Sequence, residues 1–207
     1  MSKYKRIFIV GHSGAGKGVL AQALAKRMSW QFIDADFALA PSIGRPVMEI
    51  IGKQGEDAFH QCLSDILSYQ KTKENIVVTT DDSIICHQKN QELLSSEFVV
   101  YLKVSLDVQL DRIAHNRPLL PTTDYKAFLN KLRQERDDLY EQVASFSLSS
   151  DDGAIEEHVS SIINAMENKY DTLLSWSGKN KNYSVLKGTY LASLVHQYAI
   201  IKNHYLF

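Results

Sequence analysis

The segment Ile7–Gly18, IFIVGHSGAGKG, constrains this chain more than any other, because it leads an apolar strand through a glycine-framed turn into a helix. Ile7, Phe8, Ile9 and Val10 form a short run of strand formers, and a helical pattern follows from Val19 to Met28. Gly11, Gly14 and Gly16 frame the loop, Ser13 and Ala15 fill it, and Lys17 stands where the helix begins. A strand, a glycine loop and a helix in that order are the context a nucleotide phosphate site requires. Such a loop turns backbone N–H groups inward, the helix N-terminus adds partial positive charge, and Lys17 reaches the terminal phosphates as a point charge. Gly11, Ser13, Gly14, Ala15, Gly16, Lys17, Gly18 and Val19 are the candidate nucleotide-binding residues.

One position departs from the usual motif, in which Ser or Thr follows the lysine and its hydroxyl binds magnesium. Here Gly18 and Val19 follow, and neither carries a hydroxyl. The loop resembles that of adenylate kinases in having Gly directly after the lysine. Those enzymes regain a hydroxyl one residue later, where this chain has Val19.

Composition narrows the partners. The 207 residues suffice for a substantial core without disulfide or metal staples. A formal net charge of −1 gives no reason to expect nucleic acid or an anionic membrane as the main partner. Cys62 and Cys86 form neither a metal pair nor a disulfide framework, as expected of a cytoplasmic protein. The N-terminal MSKYKRIFIVG reads as a strand rather than a signal peptide, and no run is long enough for a membrane span. The seven histidines show no metal-site spacing; His60 alone stands out as a candidate.

Short β-prone runs alternate with helical patterns. After Ile7–Val10 the strands are Gln31–Ile33 leading into Asp34, Ile76–Thr80, Phe98–Lys103 and Ser145–Leu148. Helical patterns cover Val19–Met28, Val47–Ile51, Glu56–Gln70, Leu106–Ala114, Tyr125–Val143 and Ala154–Met166. This alternation predicts a parallel sheet with helices on both faces and a ligand at the C-terminal strand ends. Asp171–Asn182 reads as polar and turn-rich, and Val185–Ile201 as an aromatic-rich helix packed on its own domain or serving as a weak dimer contact.

Further motifs follow the loop in order. They are FIDAD at Phe32–Asp36, GRPVMEIIGKQGEDAF at Gly44–Phe59, RPLL at Arg117–Leu120 and RDDLYEQVAS at Arg136–Ser145. Their order and spacing resemble shikimate kinase, of the nucleoside-monophosphate-kinase-like group, over about Lys5 to Met166. The resemblance implies a three-layer α/β/α P-loop kinase fold with about five parallel strands, plus an extra C-terminal helix. It implies a kinase domain over 1–168 with a lid at about 112–124, then an extension over 169–207.

The resemblance also implies roles. Asp34 supports magnesium, and Asp36 orients or deprotonates the acceptor hydroxyl. Arg117, in the lid, neutralises the transferring phosphoryl group. Arg136 grips an acceptor carboxylate, so Lys17, Asp36 and Arg117 form the catalytic set with ATP and Mg2+. Departures cluster on the acceptor side. His60 replaces a second carboxylate-binding arginine, Leu63 replaces a glutamate, and Thr80-Asp81-Asp82 replaces three glycines. Asp81 and Asp82 either line the acceptor cleft, where two carboxylates repel an anion, or form a polar loop pointing away. Together with Asp36 and Arg136, His60, Asp81 and Asp82 make the candidate acceptor-binding set. Three functions follow. One is ATP-dependent phosphorylation of a small hydroxylated metabolite, shikimate or a non-anionic acceptor. Another is a degenerate relative that binds nucleotide as a regulatory or interaction module. The third is a nucleotide kinase using the adenylate-kinase-like Gly18, which lacks other matching motifs.

Overall fold

Successive side chains of a strand point to opposite faces, and this alternation splits the core in two. The computed structural model describes the backbone of residues 4–35, 47–116 and 125–179. Along the chain run β1 (Arg6–Val10), α1 (Lys17–Met28), β2 (Gln31–Ala35), α2 (Val47–Gln70) and β3 (Ile76–Thr80). A 3-10 turn (Ile84–Cys86), α3 (Gln88–Ser95), β4 (Phe98–Lys103), α4 (Leu106–Asn116), α5 (Tyr125–Val143), β5 (Phe146–Ser149) and α6 (Ile155–Lys179) complete it.

The five strands lie in the order β2-β3-β1-β4-β5, and every neighbouring pair is parallel. Ile7 and Ile9 of β1, with Phe98, Val100 and Leu102 of β4, face Leu20 and Leu24 of α1 and Val159, Ile162 and Met166 of α6. Phe8 and Val10, with Val99 and Tyr101, face Phe59, Leu63 and Leu67 of α2, Leu94 of α3, and Tyr140 and Val143 of α5. Helix, sheet and helix form the three layers expected.

The differences from the sequence reading are local. The short α3, QKNQELLS, carries no apolar stripe long enough to read as a helix; what seats it is tertiary, through buried Leu94 and a buried Asn90. Ser64 Oγ donates to Asn90 Oδ1 at 2.7 Å. The two helical stretches expected at Val47–Ile51 and Glu56–Gln70 join into α2, broken at Gly55, where φ is 79° and ψ is 172°. A left-handed φ of that kind suits glycine and strains other residues. Helix α6 continues through Lys179, across most of the segment expected to be turn-rich. That segment is polar but holds no proline before Lys179, and its single glycine, Gly178, comes at the end.

Contacts divide the chain into units of Met1–Met166 and Glu167–Phe207. The second unit contains the last turns of α6; the helix expected at Val185–Ile201 lies outside the described residues. Among the described residues, no helix is long and apolar enough to cross a membrane.

Candidate functional site

The glycine loop leaves the C-terminal end of β1, the central strand, with β3 on one side and β4 on the other. This is the point of a parallel sheet where successive crossovers diverge and a crevice opens. Gly11 is pressed against β4: a Cβ there would stand 2.5 Å from the Leu102 carbonyl oxygen, at a φ of 143°. No other residue fits. Helix α1 starts behind Gly16, and the Lys17 ammonium is buried over the loop. Its Nζ donates to the carbonyls of Gly11 at 2.8 Å and His12 at 3.2 Å. Gly18 has open space around it, and Val19 is 63% exposed.

Side chains outside the motif brace this loop, and the sequence analysis did not single them out. Gln109 Nε2 donates to the Ser13 carbonyl at 2.8 Å. Arg112 Nη1 donates to the carbonyls of Gly14 and Ala15, both at 3.2 Å, while its Nη2 donates to the Ser150 carbonyl at 2.6 Å. Arg133 of α5 reaches Gln109 Oε1 and the Val104 carbonyl, both at 2.7 Å. The Ala15 N–H donates to the His12 carbonyl at 3.2 Å, which leaves the N–H groups of Gly14 and Gly16 to offer an anion. Their only sequence signal was position on two amphipathic helices.

His12 is the loop residue whose placement differs most from the sequence reading, which treated it as scattered. It is 2% exposed, and its Nε2 lies 2.7 Å from Asp137 Oδ1. Tyr101 Oη donates to the same oxygen at 2.9 Å, and the Tyr140 ring meets His12 edge-on at 5.1 Å and stacks on Tyr101 at 4.9 Å. Burial lowers the His12 pKa, with the Asp137 hydrogen bond acting against it.

Asp34 stands at the end of β2, in register with Thr79 of β3. Thr79 Oγ1 donates to its carboxylate at 2.6 Å. Asp36 and Arg117 lie outside the described residues.

On the acceptor side, Arg136 and Asp82 come together. Arg136 Nη1 is 3.1 Å from Asp82 Oδ1, with side-chain exposures of 15% and 27%. Burial works against the Arg136 charge, and Asp82 together with Cys86, Tyr140 and Asp81 outweighs it, so the guanidinium pKa is raised. The Tyr140 hydroxyl donates to the Asp82 carbonyl. Burial, then Asp82, pushes the Tyr140 pKa up, which keeps that hydroxyl a donor. Asp81 turns into its own loop, where its Oδ1 accepts from the Ser83 N–H at 2.8 Å and the Ser83 hydroxyl at 2.6 Å. Asp82 faces a guanidinium, whereas Asp81 closes an Asx turn and, with Ala35, Leu63, Thr80 and Ile84, lines a recess at the end of β3. His60 stacks on His87, ring centroids 5.8 Å apart. Leu63, on α2, is buried in the core against the sheet.

The chain is similar to known shikimate kinases in sequence and in fold. The family model described as shikimate kinase matches residues 13–167. A shikimate kinase of Legionella pneumophila is 32% identical over 164 residues, 78% of this chain and 94% of its own length. One from Xanthomonas euvesicatoria is 34% identical over 154 residues, 73% and 86% respectively. Among solved structures, the shikimate kinase of Acinetobacter baumannii in complex with shikimate superposes with a TM-score of 0.69 at 28% identity. The match covers 87% of this chain and 97% of that one. A gluconokinase from Sinorhizobium meliloti shares the fold, with a TM-score of 0.62 at 19% identity over 86% of this chain and 99% of its own.

Proposed function

This chain belongs to the shikimate kinase family and is a small-molecule kinase moving phosphate to a hydroxyl, and on that premise we propose which of its residues hold each substrate. Magnesium–ATP binds the loop Gly11–Val19, with Lys17 exchanging its two loop carbonyls for the terminal phosphates. The acceptor is a small hydroxylated metabolite, with shikimate the named candidate, bound by Asp36, His60, Asp81, Asp82 and Arg136. Lys17, Asp36 and Arg117 form the catalytic set. The observation that carries this reading is the buried Lys17 ammonium held over the glycine loop at the C-terminal end of β1.

Phosphoryl transfer asks a protein for positioning and charge stabilisation more than for covalent chemistry. The loop N–H groups and Lys17 meet the phosphate charge. Asp36 aligns the acceptor hydroxyl and takes its proton, and Arg117 closes over the reacting group from the lid at 112–124. The residues present fit magnesium held through water: Asp34 offers a carboxylate oxygen backed by Thr79, and Gly18 and Val19 add no hydroxyl. When bound, the ion neutralises charge between the outer phosphates.

The reading extends to a kinase unit over 1–168, with 169–207 as an extension that leaves the protein monomeric or weakly dimeric. It also places the protein in the cytoplasm, in keeping with free Cys62 and Cys86. The experiment is ADP release from magnesium–ATP with and without shikimate and a panel of polyols. Acceptor-dependent release supports the assignment, and no acceptor dependence with magnesium–ATP still bound would overturn it.

A further inference from the structure

We infer that Asp82 stands at Arg136 as an internal carboxylate, so that the acceptor presents an uncharged hydrogen-bonding group, a hydroxyl or an amide, to that corner of the site. The inference rests on the kinase reading above and narrows its acceptor class.

The Arg136–Asp82 pair is mostly shielded from water, at 15% and 27% side-chain exposure. A pair so placed is screened far less than one on the surface. An acceptor carboxylate could reach this guanidinium in only two ways. It could displace Asp82, leaving that carboxylate without its counter-ion in a partly desolvated site, which is strongly unfavourable. Or it could share the guanidinium and bring two negative charges together.

Displacement is further resisted by the backbone. The Asp82 carbonyl accepts the Tyr140 hydroxyl. The residues around it are closed by Asp81 accepting from Ser83 and by the Ile84 N–H donating to the Asp81 carbonyl at 3.2 Å. Tyr140 is itself fully buried and stacked on Tyr101. Asp82 is thus held at Arg136 by the turn, by Tyr140 and by its own charge.

The test is calorimetric titration of shikimate and of its uncharged methyl ester into the wild-type protein and Asp82→Asn, each saturated with magnesium–ADP. Asparagine keeps the size of the side chain and removes its charge. The expected result is that the ratio of the two affinities moves toward shikimate by about tenfold or more in Asp82→Asn. A smaller shift overturns the inference, as does the absence of binding by either ligand to both proteins. If Asp82→Asn fails to fold, Asp82→Gly is measured and interpreted in the same way. Turnover separates the two failures. An unmoved ratio with acceptor-dependent ADP release intact sinks only the role of Asp82. No turnover with any hydroxylated acceptor sinks the kinase reading beneath it.

Discussion

His12 Nε2 and Asp137 Oδ1, 2.7 Å apart, tie the phosphate loop to α5, the helix that carries Arg136 one residue earlier. The same His12 offers its backbone carbonyl to Lys17. One residue therefore links the buried loop lysine to the helix that holds the Arg136–Asp82 ion pair. Asp137 is an acceptor only, so the neutral ring donates its Nε2–H, and Tyr101 donates beside it.

His12→Phe keeps the aromatic bulk against Tyr140 and removes the bond to Asp137. Asp137 is 43% exposed, so water takes over much of the lost contact, and the stability cost is about 1 kcal/mol. The larger expected effect is on the loop: KM for ATP rises severalfold while the fold persists. Steady-state kinetics beside thermal denaturation check this, and an unchanged KM would remove His12 from the loop's support.

The lowered His12 pKa gives stability a pH dependence of known sign. Burial, its first cause, places the folded value below the unfolded value of about 6.5. Below that pH the unfolded chain binds the extra proton first, so stability falls as pH drops from about 6.5 toward the folded pKa. Above about 6.5 the contribution of His12 is flat. The gap in melting temperature between the wild type and His12→Phe should be constant from about pH 6.5 to 8 and narrow or reverse toward pH 5, by on the order of a few degrees.

Lys17→Ala should cost about 100-fold or more in turnover, the loss typical when one preorganised charge-stabilising donor is removed. The loop is braced independently by Gln109 and Arg112, so the melting temperature should move little. Rates and melts on one preparation decide it. Turnover within about threefold of the wild type would dismiss the loop as the phosphate site.

Gly18→Ser restores the hydroxyl the motif usually carries, and nothing lies within 4 Å of where its Cβ would stand. Replacing a helical glycine should stabilise the protein by about 0.5 kcal/mol. If Asp34 and water alone now hold magnesium, the concentration of the ion needed for half-maximal rate should fall severalfold. A titration of magnesium at fixed ATP reads this, and an unchanged midpoint would mean that the added hydroxyl does not reach the ion.

Glu97 offers a control at the opposite end of the sheet, just before β4. Its carboxylate accepts from Arg6 at 2.9 and 3.2 Å and lies 3.7 Å from Lys71. Burial lowers the Lys71 pKa, and Glu97 opposes that shift. Glu97→Gln leaves two partly buried cations without their anion and should destabilise by about 3 kcal/mol. Turnover of the protein that remains folded should be unaltered; urea denaturation and a rate measurement separate the two.

The loop was legible because its geometry is local. Gly11, Gly14, Gly16 and Lys17 lie within seven consecutive residues, between an apolar strand and a helical pattern. The order of strands and helices was legible for the same reason, since each follows from its own periodicity. Helix α3 was not, because what seats it is Asn90 meeting Ser64 and Leu94 entering a core built by distant strands.

The acceptor side shows the division most sharply. The sequence by itself determined that the three-glycine stretch is absent, that two carboxylates stand at Asp81 and Asp82, and that Arg136 lies within a helical segment. It could not determine where those charges point. Asp82 and Arg136 are separated by more than fifty residues, and their 3.1 Å contact exists only because α5 packs across the face of the sheet that ends in this turn. Asp137 and His12, separated by more than a hundred, meet for the same reason. Electrostatic pairing depends on distance and burial, and both are set by the packing of elements far apart in the chain.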